Sequence, residues 1–149
     1  MNAIFRVFLL LLALTSLLTL CDILKPEPDI NIPDEAFLNA LIDLGIDRNG
    51  DGAISPREAE EIPHIDVSER GISDMTGIEA FVNLERLNCW RNQLTNLDVS
   101  KNISLTIIKL RDMLSLNEVC VWELPFPPAG VEIDIANSPN INFTIDCSK

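Results

Sequence analysis

Histidine occurs once in these 149 residues, at His64, and eleven Lys and Arg face 23 Asp and Glu, giving a net charge of −12. No nucleophile lies near His64 in a catalytic spacing, and no close His–Cys set offers the ligands that zinc requires. So little positive charge argues against nucleic acid and anionic membrane surfaces as partners. Long apolar runs are also scarce: the run at residues 7–20 is shorter than the ~20 residues that span a bilayer. Asp66 with Glu118 or Glu132 is the remaining candidate for a glycosidase-like carboxylate pair, but any acidic chain offers such pairs. The inventory points to a non-enzyme.

What is present begins with one basic residue, Arg6, followed by that apolar run and then Cys21. This is the layout of a secretory signal. A cysteine directly after the run resembles the lipidation site of bacterial lipoproteins, although Leu20 stands where a small residue is usual. The resemblance implies cleavage after residue 20, a lipid anchor on Cys21 and a place in the cell envelope, at the outer membrane or cell surface. An uncleaved anchor and a signal cut elsewhere are the alternatives. Removing residues 1–20 takes away Arg6 and no acid, so the mature charge is 10 − 23 = −13. The stretch "KPEPDINIP" (25–33) holds three prolines and reads as an extended tether over residues 21–33.

The segment "DRNGDGAISPRE" (47–58) places oxygen-bearing side chains at alternate positions. Asp47, Asn49, Asp51, Gly52 and Glu58 match the EF-hand calcium loop at every position of its pattern. Calcium takes six to eight oxygens. Asp47, Asn49 and Asp51 would give one each, Ala53 its carbonyl, Ser55 a direct or water-mediated contact, and Glu58 two. The resemblance is to EF-hand or dockerin-type loops. "PDEAFLNALIDLG" before it reads as a helix with an apolar face of Phe37, Leu38, Leu41, Ile42 and Leu44 and a stop at Gly45. The exiting helix starts at Pro56 and must end before Pro63. Residues 34–61 therefore form an EF-hand-like helix–loop–helix. With no second loop to pair with, the ion is expected to be structural rather than regulatory.

From Ile62 the sequence becomes periodic. Ile62, Ile65, Val67, Ile72 and Met75 recur as Leu84, Leu87, Cys89, Leu94 and Leu97, a shift of 22. Leu105, Ile108 and Leu110 open a third unit, and Leu116, Val119 and Val121 a truncated fourth. This is the leucine-rich-repeat pattern and period, with Asn92 placed to bind backbone groups inside the turn. Asp98, Ser100 and Asn102 suit the returning loop. No unit buries its apolar side alone, so stacking makes the core. The fold class expected is α/β: a short solenoid over residues 62–124, with the helical cap before it and a β-rich cap over residues 125–149. In that second cap "VEIDI" and "INFTI" alternate as strands do.

Signal, lipid cysteine, calcium loop and repeats ("TGIEAFVNLERLNCWRNQLTNLDVSKN", "VCVWELPFPPAGVEIDIANSPNINF") together resemble leucine-rich-repeat lipoproteins of Bacteroidetes. The resemblance implies an exported, monomeric protein that recognises a protein or glycan through its repeat face. A structural subunit of an envelope complex and a hydrolase with an unrecognised site are the rival readings. Between the inward positions, three outward columns follow: His64, Arg86, Ile107, Glu118; Asp66, Asn88, Lys109, Cys120; and Ser68, Trp90, Arg111, Trp122. The last puts an arginine between two tryptophans, so Trp90, Arg111 and Trp122 form the candidate contact patch, with a mere surface ladder as the alternative. Cys89 falls at an inward position. Cys120 falls outward, and pairing it with Cys147 would staple the end of the chain, though nothing in the sequence fixes that connectivity.

Overall fold

The protein's structure, a computed structural model, describes residues 27–147. The signal segment and Cys21 lie outside the described residues. Seven strands of three residues each carry the architecture. Four of them, β1 (His64–Asp66), β2 (Arg86–Asn88), β4 (Ile107–Lys109) and β6 (Glu132–Asp134), form one parallel sheet in the order β1-β2-β4-β6. The other three, β3 (Asn96–Asp98), β5 (Glu118–Cys120) and β7 (Asn142–Thr144), form a second parallel sheet in the order β3-β5-β7. Each strand turns its central residue inward, so Ile65, Leu87, Ile108 and Ile133 stack in one sheet and Leu97, Val119 and Phe143 in the other. The result is a mostly-sheet β-solenoid.

This corrects the α/β expectation. The return side of the coil is itself a sheet, because "NLD", "EVC" and "NFT" alternate as the first-sheet strands do. The register is corrected with it. Glu118 pairs with Asn96 and Asn142, in the second sheet, and is not the fourth member of the His64 column. That place belongs to Glu132, which pairs with Ile107. "VEIDI" and "INFTI" therefore continue the two sheets as a further coil.

One corner of every coil needs a left-handed residue. Glu69, Arg91, Asp112 and Asn137 occupy it, with φ of 57°, 53°, 55° and 60°. Their side chains form a ladder: Arg91 meets Glu69 at 3.7 Å and Asp112 at 3.3 Å, and Asn137 donates to Asp112 at 2.7 Å. Just inside the corner, buried Asn92 accepts from the N–H groups of Arg70 and Ile72 and donates to the carbonyls of Val67 and Cys89. The next coil has Met113 at that position, and in the coil after it Ser138 donates to Leu110 and accepts from the Met113 N–H. Asn102 donates to Ile78 and Phe81 from a fully buried position.

Among the described residues two helices precede the first coil, α1 (Glu35–Asp43) and α2 (Pro56–Glu60). Phe37, Ala40 and Leu41 of α1, with Ile46, Ile54 and Ala59, are buried in the same core as Ile65 and Val67. Leu44 departs from the expected apolar face: it is 42% exposed. Asp34 caps α1 through the Phe37 N–H and also accepts from the Ser73 N–H, the Ser73 hydroxyl and the Asp74 N–H, tying the helix to the first coil. Gly77 permits close approach here, since a Cβ would meet Ile32 Cγ1 at 2.7 Å. No helix among the described residues is long and apolar enough to cross a membrane.

Candidate functional site

The first sheet's outer face carries two depressions that share Asn88 and Lys109. The smaller, about 220 Å³, is lined by those two with Trp90, Arg111 and Asp134. The larger, about 350 Å³, adds Leu44, His64, Asp66, Arg86 and Ile107, floored by Ile65 and Leu87. Parallel pairing places Arg86 beside Ile107 and Asn88 beside Lys109, so polar and apolar side chains alternate on a rigid surface.

The charges on this face are ordered. Arg111 lies against Asp134, with Nη2 at 2.9 Å and Nε at 3.1 Å. The Ala136 N–H holds the Asp134 carboxyl below its ordinary pKa, and the Arg111 and Lys109 charges act in the same direction against a burial penalty. Burial would raise Asp66, but the Ser68 hydroxyl and N–H, the Asn88 amide and the Lys109 charge together lower it. Both acids are therefore ionised at neutral pH. Among the described residues neither Arg86 nor Lys109 has a carboxylate within ion-pair distance, 4.0 Å. Asn88 donates to Asp66 at 2.9 Å, while its own carbonyl oxygen is buried without a partner.

Of the expected patch, the structure brings Trp90 and Arg111 together around one depression but places Trp122 elsewhere. Trp122 follows β5 in the second sheet, where it meets Phe126 edge-on at 5.3 Å, and Phe126 packs on Phe143 at 5.1 Å. The cation over Trp90 is Arg91, 4.7 Å from the ring centroid. Sequence reasoning missed both Arg91 and Asp134. Counting "VEIDI" as a further coil would have found Asp134, which pairs with Lys109.

The carboxylate pairs do not form. Asp66 and Glu118 belong to different sheets. Asp66 and Glu132 sit on opposite edge strands of one sheet, three strand spacings or about 14 Å apart, too far for either glycosidase geometry. Cys120 and Cys147 are joined by a disulfide with Cα atoms 5.6 Å apart, whereas Cys89 is a buried free thiol whose pKa burial pushes up to about 12.

Loop 47–58 is a second candidate site. Asp47 accepts from the Gly50 and Gly52 N–H groups, Asn49 from Asp51, and Asp51 from Ala53. Gly50 and Gly52 have φ of 73° and 85°, which only glycine adopts freely. Ser55 caps α2, and Glu58 closes a capping box while also accepting from the N–H groups of Arg48 and Asn49. These bonds, that from the Ser55 N–H foremost, lower the Glu58 pKa to about 2. The donor set is all oxygen and suits a hard cation. Its carboxylates are turned onto main-chain amides, and the Asn49 amide nitrogen faces Asp51 at 2.8 Å. Among the described residues, the group of three acidic, Cys or His ligand atoms within 4.8 Å of one another is Asp98, Cys120 and Cys147, whose sulfurs are already bonded together.

No family model matches the chain. Over 70 residues, 47% of this chain and 8% of the relative, it is 32% identical to internalin J of Listeria monocytogenes serotype 4b (strain F2365), a leucine-rich-repeat protein. Two solved structures from Clostridium perfringens ZmpB, containing its CBM51-2 and INT domains and in one case GlcNAc, resemble it with a TM-score of 0.52 and 26% identity. That likeness covers 65% of this chain and 20% of each of those. The chain thus spans a small part of these relatives, and the likeness to the solved structures is one of fold.

Proposed function

We propose that this chain is a non-enzymatic recognition protein, exported and held at the cell envelope by a lipid on Cys21, whose first sheet binds a protein or glycan. One observation carries the reading: Trp90, Arg111, Lys109, Arg86 and Asn88 converge on a single rigid face of an otherwise acidic molecule. Tryptophan and arginine are the side chains most enriched where binding energy concentrates. No enzyme activity is assigned, because the candidate acids stand apart.

Residues 34–61 are read as an EF-hand-like unit with one structural calcium ion. Asp47, Asn49, Asp51 and Glu58 would hold it through side chains, Ala53 through its carbonyl and Ser55 directly or through water. The ion would balance the loop's negative charge and fasten α1 to α2.

The test of the recognition face compares wild type with Trp90→Ala/Lys109→Ala on a glycan array and in cross-linking to envelope proteins. Partner binding should fall at least tenfold with an unchanged circular-dichroism spectrum, and Trp122→Ala should bind as wild type. Equal binding by the double variant would place recognition elsewhere. The last coil favours a second reading as a permanent subunit of an envelope complex. Its inward residues Val131, Ile133, Ile141 and Phe143 are only partly buried, as an uncovered solenoid end would leave them. Stoichiometric co-purification with one envelope protein, lost on Ile133→Asp, would favour that reading.

A further inference from the structure

We infer that the first-sheet groove takes an acidic sugar, with Arg86 and Lys109 gripping its carboxylate; the inference rests on the recognition reading above and narrows it to one ligand chemistry. Arg86 and Lys109 stand on neighbouring strands, two positions apart along them. Strand spacing and rise put their Cβ atoms about 8 Å apart, which lets two long cationic side chains converge on one anion between them. Among the described residues neither is within ion-pair distance of a carboxylate, although acids outnumber bases 23 to 11 in the chain. Every other arginine that shares this face or its corner, Arg70, Arg91 and Arg111, is paired.

The surroundings select the rest of the ligand. Asp66 and Asp134 flank Lys109 and remain ionised, and its charge acts on both without a direct ion pair. Both acids are acceptors and want hydroxyl or N–H groups. A uronic or sialic acid supplies one carboxylate among several hydroxyls, matching Arg86 and Lys109 beside two acceptors. An acidic peptide brings repeated negative charge against Asp66 and Asp134 and matches poorly. Ile107 and Leu44 offer apolar contact to the ring's C–H face.

The experiment titrates the full-length protein, by calorimetry at fixed calcium, with four probes. These are an oligosaccharide ending in a single uronic acid, its methyl ester, sialyllactose and an oligoglutamate of matched length. Binding of the uronic oligosaccharide or sialyllactose is expected, and which of them binds separates uronic from sialic acid. Arg86→Gln and Lys109→Gln should each weaken it roughly ten- to a hundredfold, the loss of one charge-assisted hydrogen bond. Arg86→Lys should retain most of the affinity, which separates lost charge from lost fold. Equal binding of the methyl ester would overturn the carboxylate grip while leaving glycan recognition standing. Tighter binding of oligoglutamate would overturn it in favour of a peptide. Binding by none of the four would overturn it outright, leaving the array and cross-linking test to judge the broader reading.

Discussion

The two ends of the solenoid differ. At the first coil, Ile65 and Val67 are 2% and 0% exposed and share one core with Phe37 and Leu41 of α1, Ile54 of the loop and Ala59 of α2. At the last coil, Ile133 and Phe143 are only partly buried, and a disulfide and an aromatic cluster stand in for a helical cover. The same problem, an apolar cross-section facing water, is met by packing at one end and by a covalent tie at the other. A stacked array cannot satisfy its terminal units from within.

The largest effect should come from removing the packed cover. Phe37→Ala is expected to cost about 3–5 kcal/mol, as large-to-small changes at fully buried aromatics do. Phe143→Ala at the open end should cost roughly 2 kcal/mol, in proportion to its partial burial. Urea-unfolding midpoints measure both, and equal losses would erase the contrast. The covalent tie comes next. Cys147→Ser opens a cross-link of sequence separation 27, worth about 3–4 kcal/mol by chain entropy. Thermal melts of that variant should no longer respond to reductant.

The metal reading sharpens the comparison at the helical end. At free calcium a hundredfold above its dissociation constant, wild type should gain about 2.7 kcal/mol. Glu58→Gln should gain far less. Identical calorimetric melts with calcium and with chelator would remove the ion from this loop.

The smallest effect is the link between α1 and the first coil. Burial alone would raise the Asp34 carboxyl, but bonds from Ser73, Phe37 and Asp74 outweigh it and lower its pKa from 3.8 to about 2. Glu58 falls from 4.5 to about 2, chiefly through the Ser55 N–H. In both cases the folded state releases its proton more readily than the unfolded chain. The stabilisation is therefore complete above about pH 4.5 and is lost as pH falls toward 2. Asp34→Ala should cost about 1–2 kcal/mol at pH 7, and denaturation at descending pH should show the two proteins converging. A constant gap would mean the carboxylate charge is not involved.

The coil was legible in the sequence because each unit repeats its inward residues at a fixed shift, and Asn92 marks the turn through the four bonds it makes. The second sheet was not. Leu105 to Leu116 is a step of 11, half the period of the first repeats, and its local pattern matches that of a full repeat. A three-residue strand with one inward side chain does not reveal which sheet it joins; pairing partners decide. That ambiguity sent Trp122 to the wrong face and hid Asp134. Trp90, Arg111 and Lys109 were legible because their coils keep shifts of 22 and 21, whereas the last coil lies 25 residues on. Extra residues between β5 and β6, including "PFPP", absorb the difference without disturbing either sheet.

The order β1-β2-β4-β6 has one more consequence. Arg86, Asn88, Ile107 and Lys109 belong to the two inner strands, each braced on both flanks, while both terminal rungs lie outside them. Damage at either extremity must cross an intact neighbour before it reaches the backbone that carries Arg86 and Lys109, though it meets Asp66 and Asp134 at the groove's rims directly. The two cations therefore stand on the best-braced part of the sheet, and the acids beside them on the parts most open to change.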